Sequence, residues 1–100
     1  MTDIGVYTTE EQLEEKKKHA ADRSQWVWWD LPSRPSRGLP EKIYFAADGS
    51  WKGYFTVEKA EMLPSGGLRV FLDDWHELET EITRTSFQGY TYTVPKEVTA

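Results

Sequence analysis

The sequence predicts a mostly β (α+β) protein, a small antiparallel β-barrel or strongly bent sheet of about six strands, with one N-terminal polar helix. Three observations support this fold class. Short β-favouring segments recur at regular spacing with turn residues between them. Asp48-Gly49 lies between two aromatic-rich segments and marks a hairpin. Aromatic residues make up 14% of the 100 residues, which is enough large side chains to fill one core.

A polar helix is predicted to begin after Thr9. Thr9 can cap the helix, and Gln12 follows three residues later, as in a capping box. Glutamates in the first turn and lysines at 16–18 suit the helix dipole. Because the apolar stripe of this segment is thin, we expect residues 1–24 to form a polar helical arm. A single barrel domain is then expected over residues 25–100.

The segment IYFAADGSWKGYF, residues 43–55, is the predicted hairpin. A two-residue Asp-Gly turn would pair Ala47 with Ser50 and Phe45 with Lys52, which mixes apolar and charged residues on both faces. A three-residue loop over residues 47–49 instead pairs Phe45 with Trp51 and separates the two faces. The predicted core face carries Ile43, Phe45, Trp51, Gly53, Phe55 and Val57, and the predicted wet face carries Lys42, Tyr44, Ala46, Lys52, Tyr54 and Thr56.

Further strands are expected on both sides of the hairpin. The β-favouring run at residues 25–29 ends at a proline-rich loop, SRPSRGLPE, which begins at Ser33. A turn at Pro64-Ser65-Gly66-Gly67 separates the hairpin from the last three predicted strands, residues 68–72, 77–83 and 87–94.

The composition limits the classes of function. The chain has no cysteine, which excludes disulfides and thiolate metal sites and suits a cytoplasmic location. No apolar run approaches the roughly 20 residues of a membrane span. The first residues have neither the basic start nor the apolar stretch of a signal peptide. We therefore expect a cytoplasmic protein that does not bind a membrane.

The net charge of −5 argues against non-specific binding of nucleic acid, which depends on Lys and Arg neutralising phosphates. The charge is uneven, however. Between Arg23 and Lys59 there are six basic residues against four acidic ones, whereas Asp73 to Glu81 holds five acidic residues and no Lys or Arg. A local basic patch on an acidic protein is therefore compatible with the sequence.

The densest ionisable cluster is FLDDWHELETE, residues 71–81. Its Asp, Glu and His side chains are of the types that bind Mg²⁺, Mn²⁺ or Zn²⁺, but their spacing matches no calcium loop or zinc motif. We interpret Asp73-Asp74 as a turn before a strand with an acidic outer face. His76, beside Trp75, is the better of two histidines for acid–base chemistry, but no second catalytic group can be named. We expect no metal and no cofactor, and favour a protein that is not an enzyme.

A set of aromatic and basic residues is the remaining candidate for a site. Single-stranded nucleic acid is bound by stacking its bases on rings and by contacting its phosphates with cations. The alternative is that the tryptophans fill the core and the arginines solvate a loop. The set consists of Trp28, Trp29, Arg34, Arg37, Tyr44, Lys52, Tyr54 and Arg84.

The order of these segments resembles small proteins of the PUA-like superfamily, near the ASCH and EVE-type domains. The resemblance rests on Trp29-x-Leu-Pro, PEKIYFAADGSWKGYF, LRVFLDDWHEL and FQGYTYTVP and covers residues 25–95. The ASCH signature Gly-x-Lys-x-x-Glu-x-Arg is absent. The resemblance implies a pseudo-barrel with a cleft beside its second strand, in which RNA, a modified base or a small molecule would lie. The residues it places nearest that cleft are Trp29, Arg34, Arg37, Lys52, Trp75 and Arg84.

Three functions follow from these observations. The first is a non-catalytic module that binds RNA or a nucleobase-like ligand in a basic and aromatic cleft. The second is an acidic interaction or inhibitor module, in which Asp73–Glu81 docks on a basic protein partner. The third is a small hydrolase that uses His76 or Lys52. We expect a monomer or a weak homodimer. The candidate ligand-binding residues are Trp29, Arg34, Arg37, Lys52, Tyr54, Trp75, His76 and Arg84.

Overall fold

A computed structural model describes residues 2–22, 27–33, 35–36, 38–87, 89–92 and 94, without the side chains of residues 2, 80 and 81. The described chain forms one helix and six strands in a single curled sheet, a half-barrel, which confirms the predicted fold class. The strand order is β2-β5-β4-β3-β1-β6, and every neighbouring pair is antiparallel except β1 and β3. The elements are β1 (Thr2–Tyr7), α1 (Glu10–Asp22), β2 (Val27–Leu31), β3 (Pro40–Ala47), β4 (Ser50–Met62), β5 (Leu68–Thr83) and β6 (Tyr90–Thr91).

Strand β1 was not predicted from the sequence. It lies between β3 and β6 and runs parallel to β3, with Ile4 beside Ile43 and Val6 beside Phe45. Ile4 and Val6 are fully buried. In the described part of residues 1–24, the expected polar helix is therefore preceded by a strand of the sheet. Only two large apolar residues alternate in β1, and that signal is weak beside the charged helix that follows.

Helix α1 begins and ends close to the predicted residues. The backbone N–H of Gln12 donates to Thr9 Oγ1 at 3.2 Å, so Thr9 caps the helix as expected. Leu13 is buried in the main core, with Ile43, Phe45 and other side chains of the sheet. The helix therefore covers one face of the sheet, which we call the inner face. Among the described residues, no helix is long and apolar enough to cross a membrane.

The hairpin between β3 and β4 differs from the predicted register. Its turn has two residues, Asp48 and Gly49, both with positive φ (49° and 83°), and Ala47 pairs with Ser50. These angles fit the type I′ turn that Asp-Gly favours. The predicted three-residue loop is therefore wrong, because a β-bulge on β4 supplies the shift that a regular ladder lacks.

The bulge determines which face each aromatic residue occupies. Ala46 pairs with Trp51, whereas Phe45 pairs with Gly53 and Ile43 with Phe55, so the register moves by one residue around Lys52. Phe45 and Phe55 stay on the inner face as predicted. Trp51 lies on the opposite, outer face, which corrects its predicted place beside Phe45.

The outer face is also partly apolar, contrary to the expectation of a wet face. Tyr44 and Ala46 are fully buried there and pack against Trp51. Partly buried side chains cover this second cluster, namely Tyr7, Tyr54, Leu78, Ile82, Phe87 and Val94. The alternation within the hairpin predicts an exposed Tyr44, because that pattern carries no information about the later segments that pack over it.

Strand β5 merges two predicted strands into one of 16 residues. The turn predicted at Asp73-Asp74 is not formed, because β5 continues through these residues beside β4. Strand β2 pairs with β5 only from Leu68 to Leu72. In the described part of the chain, β5 is therefore an edge of the sheet from residue 73 onward. The last predicted strand shortens to Tyr90–Thr91.

An ion pair fastens β2 to β5. Arg69 Nε and Nη2 donate to the two carboxylate oxygens of Asp30 at 2.8 and 3.0 Å. These hydrogen bonds, with smaller contributions from the charges of Arg69 and Lys16, hold the pKa of Asp30 below its ordinary value.

We expect two glycines of the hairpin to differ in their sensitivity to Ala. A Cβ on Gly53 would overlap the backbone oxygen of His76 and lie 2.6 Å from the Trp75 ring, whereas a Cβ on Gly49 meets no atom within 4 Å. Gly53→Ala should lower the free energy of unfolding by roughly 3 kcal/mol. Gly49→Ala should lower it by only about 1 kcal/mol, the cost of its left-handed backbone. Urea denaturation measures the free energy of unfolding of both variants. Equal decreases in the two variants would contradict this packing.

The stability contributed by Asp30 should depend on pH. The pKa of Asp30 is depressed in the folded state. Its contribution to stability is therefore present above pH 3.8, the ordinary pKa of an aspartate, and is lost as the pH falls through the pKa of the folded state. At pH 7, Asp30→Asn should lower the free energy of unfolding by less than about 1 kcal/mol, since both side chains of the pair are partly exposed to solvent, which screens their charges. The difference in unfolding free energy between the wild-type protein and Asp30→Asn should become smaller in denaturation curves recorded below pH 4.

Glu58→Gln is the matched control for this prediction. It removes an exposed carboxylate that has no ion pair within the described residues. Two results would show that the ion pair with Arg69 does not stabilise the fold. One is a loss of unfolding free energy in Asp30→Asn that stays constant from pH 7 to pH 3. The other is an equal loss in Glu58→Gln.

Candidate functional site

Five aromatic side chains form a continuous row across the outer face. The ring centroids are 6.2 Å apart for Phe87 and Trp51, 6.3 Å for Trp51 and Tyr44, 5.0 Å for Tyr44 and Tyr54, and 4.7 Å for Tyr54 and His76. We call these five residues the outer aromatic row. The register of β3, β4 and β5 produces it, because Tyr44 pairs with Tyr54 and Tyr54 pairs with His76.

One end of the row is open to solvent. The rings of Tyr54 and His76 are stacked, with 17° between their planes, and His76 is exposed. The ammonium of Lys42 lies 4.9 Å from the centroid of the Tyr54 ring. Because His76 belongs to the part of β5 that has no second neighbouring strand among the described residues, the stack is accessible from the edge of the sheet. It is the part of the row on which another flat ring can stack.

The other end of the row carries Arg84. Its guanidinium lies 4.6 Å from the centroid of Phe87 and 6.0 Å from that of Trp51. The backbone N–H of Arg84 donates to the oxygen of Gly49 at 2.9 Å, which ties it to the tip of the hairpin. Its Nε is buried and has no hydrogen-bond partner in the described structure. A buried donor in this state is stabilised by any acceptor that reaches it.

Lys42 and Arg84 have no acidic group within ion-pair distance in the described part of the chain, whereas four other basic side chains do. Two other aromatic side chains of the outer face also contact a cation, Trp28 with Arg69 and Phe71 with Lys59. Those two cations have acidic partners, because Arg69 forms an ion pair with Asp30 and Lys59 lies 3.7 Å from Glu61. The charges of Lys42 and Arg84 are therefore available to an anionic ligand.

The predicted site residues are divided between the two faces. Tyr54, His76 and Arg84 belong to the outer aromatic row or lie against it. Trp29 and Trp75 lie on the inner face and pack against Phe45 and Phe55, at centroid distances of 5.2 and 4.8 Å.

Two lysines of α1 cover the tryptophans of the inner face, with Lys16 over Trp29 and Lys17 over Trp75. The other predicted lysine, Lys52, lies 3.7 Å from Glu10 at the start of α1. Arg34 and Arg37 fall outside the described residues. The described members of the predicted set therefore do not line one cleft.

Part of the acidic segment has a structural role. Glu77 accepts a hydrogen bond from Trp75 Nε1 at 2.8 Å, and Lys17 lies 3.4 Å from the same carboxylate. Burial alone would lower the pKa of Lys17, but its contacts with Glu14 and Glu77 outweigh that effect and raise it. No group of three or more His, Asp or Glu side chains placed to hold a metal ion occurs among the described residues.

Sequence reasoning missed Lys42 and Phe87 as members of this site. Lys42 was placed correctly on the same face as Tyr54, and its alternation with Tyr44 along β3 was the signal that could have joined it to the set. Phe87 follows β5 in a segment without regular structure, so no periodicity indicated which ring it would contact.

Comparisons of this chain with protein-family models, curated proteins and solved structures found no match. The resemblance to PUA-like domains therefore stays a prediction.

Proposed function

We propose that the outer aromatic row binds single-stranded RNA or a nucleobase-like ligand without catalysis. A base stacks on the exposed ring of His76, which is supported from behind by Tyr54. Lys42, beside Tyr54, and Arg84, at the far end of the row, contact phosphate groups of the same ligand. In a small ligand with one phosphate, Lys42 alone makes that contact.

The observation that carries this proposal is the pairing of an exposed aromatic stack with a cation that has no acidic partner. His76 and Tyr54 are 4.7 Å apart and nearly parallel, and Lys42 lies on the Tyr54 ring. Stacking of a base on a protein ring contributes about 1–3 kcal/mol and tolerates any base. Because the Tyr54–His76 stack is already formed, little side-chain entropy is lost on binding.

The net charge of the protein sets the strength and the character of binding. At −5, the whole chain repels a polyanion at long range, so affinity depends on contacts at the row itself. Such a site favours a short strand or a single nucleotide over a long duplex. The resemblance to PUA-like domains supports the same class of ligand, by analogy of fold.

A second candidate function is docking of a basic protein through the acidic edge of β5. Asp74 and Glu79 are exposed, and from residue 73 onward this strand lies at the edge of the sheet in the described part of the chain. Against it, Glu77 already compensates Lys17 and bonds Trp75. We therefore rank RNA or nucleobase binding first.

The first function is tested by fluorescence anisotropy of a labelled single-stranded RNA at low and near-physiological salt. His76→Ala should weaken binding roughly tenfold, because it removes the exposed stacking surface. Lys42→Met should weaken binding several-fold and reduce the slope of log K against log salt by about 0.7, the value for one phosphate contact on a single strand.

The chain offers a matched control for Lys42→Met. Lys18→Met removes an exposed lysine of α1. It should leave the affinity for RNA unchanged. If the wild-type protein binds neither the RNA nor a mononucleotide at low salt, the proposal is wrong. Salt-sensitive binding of oligolysine that Asp74→Asn/Glu79→Gln abolishes would then favour the acidic edge.

A further inference from the structure

A cavity of about 460 Å³ lies between helix α1 and strand β2, separate from the outer aromatic row. Its volume falls within the range of small-molecule sites, and its walls combine aromatic surface with a few polar groups, as such sites do. Among the described residues, those that line the cavity are Gln12, Glu15, Lys16, His19, Val27, Trp28 and Trp29.

Lys16 is the central polar group of this cavity. Its ammonium donates to the backbone oxygen of Trp28 at 2.8 Å and lies 5.3 Å from the centroid of the Trp29 ring. Lys16 has no acidic side chain within ion-pair distance among the described residues. One of its three N–H groups is used by the Trp28 carbonyl, so two more are available.

The charges around Lys16 leave it incompletely compensated. Asp30 of β2 attracts it, but the carboxylate of Asp30 is held by both nitrogens of Arg69 from β5. Glu15 of α1 is exposed to solvent, which screens its charge. Burial is the largest effect on the pKa of Lys16 and lowers it, even though Glu15 and Asp30 act in the opposite direction.

We propose that this cavity binds a small organic anion with a flat ring, such as an aromatic carboxylate. The carboxylate accepts hydrogen bonds from the ammonium of Lys16, and the ring packs between the α1 helix and Trp29. His19, one turn after Lys16 on the same wall, supplies a further ring nitrogen for hydrogen bonding. Compensating a half-buried cation favours an anion over a neutral ligand of the same shape.

The test compares naphthalene-2-carboxylate with its neutral isostere naphthalene-2-carboxamide on ¹⁵N-labelled full-length protein. The five tryptophan side-chain N–H signals, assigned with Trp→Phe variants, report where each compound binds. The carboxylate should shift the signal of Trp29 and bind roughly ten times more tightly than the carboxamide, the effect of one charged hydrogen bond. Lys16→Met should remove that preference, and Lys18→Met, on the same helix, should keep it.

Several results would overturn the proposal. One is equal affinity for the two compounds, which would mean that the charge of Lys16 does not select the ligand. Others are shifts confined to Trp51 or Trp75, or no saturable shift at millimolar carboxylate. The comparison of the two compounds uses the wild-type protein alone, so it decides the question even where Lys16→Met does not fold.

Discussion

The β-bulge in the β3–β4 hairpin is the constraint on which the rest of the structure depends. Asp48 and Gly49 close a two-residue turn, and the bulge around Lys52 then moves the register by one residue. Without that shift, Trp51 and Phe55 would lie on the same face of the sheet. With it, Phe55 enters the core under α1 and Trp51 begins the outer aromatic row.

This division makes the sheet apolar on both faces in its centre. The inner face is covered by α1 through Leu13, and Trp29 and Trp75 pack against the same core. Among the described residues, Phe87 and Val94 cover the outer face near Tyr44 and Trp51. In this part of the chain the cover ends towards His76, which is exposed. Burial at one end of the row thus fixes the geometry of the rings that solvent reaches at the other end.

The sequence was informative wherever a local pattern decided the structure. The capping residues around Thr9 located α1, and the alternation in residues 43–55 placed Phe45 and Phe55 in the core. The pairing of Trp51 was mispredicted because a bulge gives no periodic signal. Strand β1 was missed because its partner in the sheet is about 39 positions away in sequence, as from Ile4 to Ile43.

The candidate site was predictable in its residue types and not in its assembly. Tyr54, His76 and Arg84 were named as candidates, but the separation of Trp29 and Trp75 onto the inner face follows from the packing of α1. Lys42 and Lys52 looked equivalent as lysines on one face of a hairpin. The bulge and the start of α1 bring Lys52 to an acidic partner, Glu10. Lys42 has no acidic partner among the described residues.

The parallel pairing of β1 with β3 has a consequence for how the chain folds. The β3–β4 hairpin closes a short loop, whereas β1 can pair only after the helix, β2 and the proline-rich loop have been brought back across the sheet. Closing so long a loop costs more entropy than closing a turn, and few contacts repay it until β3 is in place. The N-terminal strand is therefore the piece of the core expected to dock late. Until then, the backbone edge of β3 along Ile43 and Phe45 is open to pairing with another chain.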